Sequence, residues 1–193
     1  MLRRSFISLC TLLAAPAVAE DEPDSDALWR RLQAGGHVVL MRHAATAPGI
    51  GDPPGFSLND CASQRNLSRS GRQDAADIGA AFRRRAVPVA QVLSSRWCRC
   101  LDTARLAFGR GDPAQMIDSM FTEDAATSRR KVDQVKAYLR AYKEVGNLVF
   151  VTHDVNIRAL VGRYLSQGEM VVAVANPDGS LRVAGVLKLA DVR

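Results

Sequence analysis

The chain has 193 residues, 26 Lys+Arg against 20 Asp+Glu, a formal net charge of +6 and 47% hydrophobic residues. That length suits one domain with a sizeable core and is too short for two full ones. The apolar content argues against disorder, no uninterrupted apolar run reaches the ~18 residues of a spanning helix, and the modest positive charge is only a weak hint of anionic partners.

Taken in chain order, residues 1–19 read as a cleavable export signal. Arg3 and Arg4 lead, 6–15 is largely apolar, and Ala17-Val18-Ala19 is a small-x-small cleavage site. Cleavage before Glu20 would leave 20–193 as a single domain in the periplasm or outside the cell. Arg3-Arg4-Ser5-Phe6-Ile7 also resembles a twin-arginine signal, so the export route stays open. Cys10 leaves with the leader, and Cys61, Cys98 and Cys100 remain. An oxidising compartment favours one disulfide, from Cys61 to Cys98 or to Cys100, since the latter two are expected on different sides of one helix. The alternative is three small buried thiols. A zinc site is not expected, because no Cys-x-x-Cys pair or histidine cluster accompanies them.

The spacing predicts a helix over 25–34 ended by Gly35-Gly36, then a buried strand over 37–41. Residues 46–64, rich in Gly, Pro, Asn and Asp, form a loop whose length marks it as functional. Ser68 is a candidate N-cap for a helix through Arg85. Further on come a strand over 91–94, a helix over 96–108 closed by Gly109, a strand over 115–118 and a helix over 125–142. The last elements are a strand over 148–152, a helix over 155–164, and strands 170–175 and 181–189 around the hairpin signal Asn176-Pro177-Asp178-Gly179. Strands alternating with helices predict an α/β fold, a three-layer α/β/α sandwich with a mainly parallel sheet.

In such sheets ligands bind beyond the carboxyl ends of the strands. Arg42-His43, Ser94-Ser95 with the Arg-rich turn after it, and Thr152-His153-Asp154 all stand at such ends. Two of the three histidines and at least two arginines are therefore expected on one rim. Neutral imidazole is a good nucleophile, and guanidinium is a planar fork that fits phosphate oxygens. His37, at the opposite end of its strand, is expected to be structural.

Met41-Arg42-His43-Ala44, Ser94-Ser95-Arg96-Trp97-Cys98-Arg99-Cys100-Leu101-Asp102-Thr103-Ala104 and Val151-Thr152-His153-Asp154-Val155-Asn156-Ile157, in that order, resemble the histidine phosphatase superfamily. The segment Asn66-Leu67-Ser68-Arg69-Ser70-Gly71 is similar to the family's opening of its second helix. The resemblance covers about 38–162 and implies a phosphoglycerate mutase-like fold and a phosphomonoester hydrolase that needs no cofactor or metal. It implies His43 as the nucleophile that is phosphorylated, Arg42 and Arg99 as phosphate-binding arginines, and His153 as a donor to the phosphoryl oxygens. Arg96 competes with Arg99 for that role but reads more simply as a solvated turn residue, and Arg65 in the long loop is another candidate for substrate contact. For the general acid the resemblance offers Glu123 first, Asp154 second and Asp124 third; each is also at home near a helix start. The family's Gly after Arg-His is Ala44 here. Small exported members suggest phosphorylated envelope sugars, such as a lipopolysaccharide-core heptose phosphate, as substrate.

Other classes fare less well. A cysteine phosphatase needs Arg six residues after its Cys, and Leu67, Ala104 and Leu106 stand there instead. There is no Gly-x-x-x-x-Gly-Lys loop, and Gly49-x-Gly51 lies in a Pro-rich loop. Nucleic acid would rest on Arg83-Arg84-Arg85 and Arg129-Arg130-Lys131 alone, which read as solvated helix faces with too few aromatics for stacking. The non-enzymatic rival is a binding protein that holds a phosphorylated ligand in the same pocket without turning it over.

Overall fold

A computed structural model describes residues 24–192; the leader read over 1–19 lies outside the described residues. Helix α1, Ser25–Ala34, starts where the Asp24 side chain accepts from Ala27 N at 2.6 Å and buries Leu28, Trp29 and Leu32. It is followed by β1 (Val38–Arg42), α2 (Arg69–Arg84), β2 (Val89–Ser94), α3 (Cys98–Phe108) and β3 (Asp112–Pro113). Then come α4 (Ala125–Ala141), β4 (Asn147–Thr152), α5 (Asp154–Val161), β5 (Met170–Ala175) and β6 (Leu181–Leu187).

The six strands lie in the order β3-β2-β4-β1-β5-β6. β3, β2, β4 and β1 are parallel, while β5 runs antiparallel to both β1 and β6. Side chains alternate across the sheet, so each strand feeds two cores. Val39 and Met41 of β1 pack with Leu28, Ile78, Phe82 and Ala104 from α1, α2 and α3 on one face. Val38 and Leu40 pack with Val135, Leu139 and Ile157 from α4 and α5 on the other. This is the expected three-layer sandwich. Among the described residues no helix is long and apolar enough to cross a membrane.

Several boundaries differ from expectation. The segment expected as a strand over 115–118 is a 3-10 turn, Gln115–Ile117, and the edge strand lies just before it at Asp112–Pro113. The Thr152 hydroxyl donating to Ile117 O at 2.7 Å ties that turn to the end of β4. Helix α3 begins at Cys98 rather than Arg96, because Trp97 is extended and the Arg96 N–H is taken by Asp118 Oδ1 at 2.8 Å. Helix α5 stops at Val161, where Gly162 turns left-handed at φ 68°. The hairpin forms as expected, with Asn176 N donating to Ser180 O at 2.8 Å.

Two glycines allow backbones to meet. A Cβ on Gly71 would stand 1.9 Å from Ala45 O, and one on Gly79 2.0 Å from Ala107 O. The first contact seats the start of α2 under the turn that follows β1, and the second brings α2 against α3.

Candidate active site

Strand order explains why the sequence motifs meet: β2, β4 and β1 are neighbours, so their carboxyl ends form one rim. The ladder continues past them, with His43 N donating to Thr152 O at 3.0 Å and Ser95 N to Val151 O at 2.9 Å. A cleft of about 650 Å³ opens there, lined by Arg42, His43, Arg99, His153 and Asp154, and on its loop side by Asp52 and Arg65.

His43 and His153 are both buried, their rings 5.5 Å apart and edge to face. His43 Nδ1 lies 2.9 Å from Ala44 O. A carbonyl can only accept, so Nδ1 carries the hydrogen and Nε2 the lone pair. Burial, together with the charges of Arg99, Arg42 and Arg65, lowers the His43 pKa to about 3 against an opposing rise from the Ala44 bond. At neutral pH the ring is an uncharged base. Thr103 holds the turn behind it: its hydroxyl donates to Arg99 O at 2.7 Å and accepts from Ala44 N at 3.1 Å. Ala44, standing where the related pattern has glycine, is fully buried against Leu67 and Ala75.

His153 Nε2 lies 2.9 Å from the Ser95 hydroxyl, which reaches Asp118 Oδ1 at 3.4 Å. With the serine donating to the carboxylate, His153 donates to the serine. Burial, then His43 and the surrounding cations, hold His153 well below its ordinary pKa.

Three guanidiniums share the cleft, and each is pinned at Nη1. Arg42 donates to Leu165 O at 2.6 Å, Arg65 to Thr46 Oγ1 at 2.7 Å and Gly49 O at 2.9 Å, and Arg99 to Asp52 Oδ1 at 2.7 Å. All three leave a buried Nε without a hydrogen-bond partner. Three unspent charged donors around a neutral imidazole make a site for an oxyanion.

Of the expected site residues, Arg42, His43, Arg99, His153 and Asp154 line this cleft and Glu123 does not. Glu123 makes an ion pair with Lys131, whereas Asp154 accepts from Leu165 N at 2.9 Å. Asp124 caps α4 through Thr127 N. Arg96 is the half-exposed turn residue expected and stays off the cleft, pairing with buried Asp118 at 2.6 Å. Arg65 is part of the cleft, as is Asp52, which the residue pattern did not single out. Only the length of the Gly/Pro loop pointed to its neighbourhood. Cys61 and Cys98 form a disulfide, and Cys100 is a buried free thiol whose pKa burial pushes up to about 12. Gln64 completes the link, its Oε1 accepting from Cys98 N at 2.9 Å and capping α3 in place of Trp97. Among the described residues no group of three or more His, Cys, Asp or Glu is placed to hold a metal ion.

No protein-family model matches the chain, and no curated protein matches it in sequence. Solved structures do. The protein histidine phosphatase SixA complexed with tungstate aligns over 81% of this chain and 99% of its own at TM-score 0.58 and 16% identity. A variant of phosphoserine phosphatase from Entamoeba histolytica bound to phosphoserine covers the same shares at 0.61 and 13%. The Rv3214 product of Mycobacterium tuberculosis aligns over 76% and 94% at 0.58 and 17%. The chain thus has the phosphoglycerate mutase-like α/β fold of these solved structures.

Proposed function

We propose that this chain is an exported phosphomonoesterase that works through a phosphohistidine at His43. The observation that carries the reading is the set of three buried, unpaired Nε–H groups of Arg42, Arg65 and Arg99 beside a neutral imidazole. Guanidiniums in that number supply the positive charge a transferring phosphoryl group needs, with no metal required.

In this reaction the His43 Nε2 lone pair attacks phosphorus and the bond from phosphorus to the ester oxygen breaks. The departing alkoxide takes a proton from the Asp154 carboxyl group, the carboxylate candidate that lines the cleft. Asp154 then accepts a proton from water as the water oxygen attacks the phosphohistidine, and orthophosphate leaves. His153 takes up a proton as the dianion arrives and donates Nδ1–H to a phosphoryl oxygen, its other nitrogen fixed by Ser95.

Phosphorylated envelope sugars are the proposed substrates. The rings of Phe56, Trp97 and Phe121 around the mouth offer flat faces for a sugar ring. The disulfide between Cys61 and Cys98 suits the oxidising compartment that the leader addresses.

The test is rapid quench with a labelled phosphomonoester in the presence of chelator, stopped in alkali to preserve phosphohistidine. Label on the wild-type chain, none on His43→Ala and release of free phosphate are expected. Phosphate binding without label or turnover would instead favour the ligand-binding reading.

A further inference from the structure

Asp52 lies in the long loop after β1, yet its side chain is as buried as that of Arg99: 6% and 5% exposed. It spends both oxygens. Oδ1 accepts from Arg65 N at 3.0 Å and from Arg99 Nη1 at 2.7 Å, and Oδ2 accepts from Trp97 Nε1 at 2.9 Å. Burial raises the carboxyl pKa, but the Arg99, Arg65 and Trp97 bonds outweigh that and hold it below its ordinary value. A buried charge with three donors is built into the structure.

Its position has a directional consequence. A guanidinium presents two two-pronged edges, one through both Nη atoms and one through Nε and Nη2. Asp52 takes Nη1, so the Nε–Nη2 edge of Arg99 stays open, with its buried Nε unpaired. The other two guanidiniums are pinned by neutral oxygens, of Leu165 for Arg42 and of Thr46 and Gly49 for Arg65. Arg99 alone of the three meets a carboxylate, and it also stands over the Trp97 ring at 6.0 Å. Three like charges in one cleft repel one another, and a fixed negative charge offsets that repulsion while setting the plane of the guanidinium it touches. Even with the Asp52 carboxylate among them, the three guanidiniums leave the cleft a net positive charge to meet a phosphoryl group.

We propose that Asp52 is a positioning residue for phosphate recognition: it holds Arg99 by Nη1 so that the Nε–Nη2 edge faces the phosphoryl oxygens. This rests on the phosphate-site reading above. The opposing possibility is that Asp52 competes with the anion for Arg99, and the two predict effects of opposite sign.

The experiment compares wild type, Asp52→Asn, Arg99→Ala and the double variant, reading orthophosphate affinity by calorimetry and kcat and KM on one aryl phosphate. Asp52→Asn is expected to weaken orthophosphate binding by ~10- to 100-fold, the scale of a charge-assisted contact. It should lower kcat as well as raise KM, and cost nothing further in the Arg99→Ala background. Unchanged or tighter orthophosphate binding by Asp52→Asn overturns the proposal, and so does a second, additive loss in the double variant. Asp52→Ala, read the same way, replaces Asp52→Asn if that variant does not fold. Wild-type binding without turnover would overturn only the phosphatase reading, since the binding comparison still decides Asp52; no wild-type binding would overturn both.

Discussion

At the residue scale, the main tension is between the chemistry of the two histidines and acid. Both rings are buried among cations, which favours the neutral form needed for attack by His43. The same burial makes the folded state vulnerable at low pH. The unfolded chain protonates each histidine near 6.5, while folded His43 resists until about 3. Stability is therefore complete above pH 6.5 and falls as pH drops through that window, at up to ~1.4 kcal/mol per pH unit for each histidine so held. Urea unfolding between about pH 6.5 and 5.5, where carboxylates of the unfolded chain are still almost wholly ionised, should show this slope. His43→Asn should make it shallower, with His153 supplying the remainder, and equal slopes in variant and wild type would sink the account. That Arg42, His43, Arg99 and His153 would share one cleft was legible from sequence because three ordered motifs, with the resemblance they carry, survive without knowledge of the loops. Asp52 was not, since a loop carries no periodicity that points a side chain inward. Arg96 stands in a turn off the cleft as expected, but its ion pair was not legible, because Asp118 is 22 residues away and comes back only through the fold.

At the scale of elements, the site depends on how closely α2 approaches the turn after β1. Ser68 N donates to Ala45 O at 2.9 Å, and Gly71 lies against the same carbonyl. Gly71→Ala would drive a methyl group into that backbone and shift Ala44, whose carbonyl fixes the His43 tautomer. A loss of ~1–3 kcal/mol in stability is expected from the overpacking, together with a marked loss of kcat. Gly109→Ala is the control. Gly109 is left-handed at φ 71°, but nothing lies within 4 Å of the added carbon, so ~1 kcal/mol of stability should go and activity stay. Denaturant melts and turnover on the same two variants would separate them; equal loss of kcat in both would remove the special role of the Gly71 contact. The helices themselves were easy to read from their caps and periodicity. The edge strand was not, because β3 has only two residues, both exposed, and the apolar signal over 115–118 comes from a buried 3-10 turn.

At the scale of the whole molecule, the sequence predicted a layered α/β domain but not that β4 inserts between β1 and β2, the step that gathers the rim. Nor could local spacing choose between the two candidate partners of Cys61. The disulfide to Cys98 closes a sequence separation of 37 residues and fastens the loop of Asp52 and Arg65 to the first turn of α3, beside Arg99. It should act on both stability and chemistry. Restricting a loop of that length in the unfolded chain is worth about 3–4 kcal/mol on the chain-entropy account, roughly 10 °C in Tm for a domain of this size. Losing it should also weaken orthophosphate binding, because Asp52 reaches Arg99 only while the loop is held against the helix. The cleanest form is Cys61→Ser/Cys98→Ser, compared with wild type under a phosphine reductant. Cys100, buried with its thiol pushed up to about 12, does not offer a thiolate for exchange in either case. The two preparations should therefore agree, both less stable and both weaker for orthophosphate. Lower stability with undiminished phosphate affinity would mean that Gln64 capping α3 and the Asp52 ion pair hold the loop unaided, and that the disulfide serves the fold without serving the site.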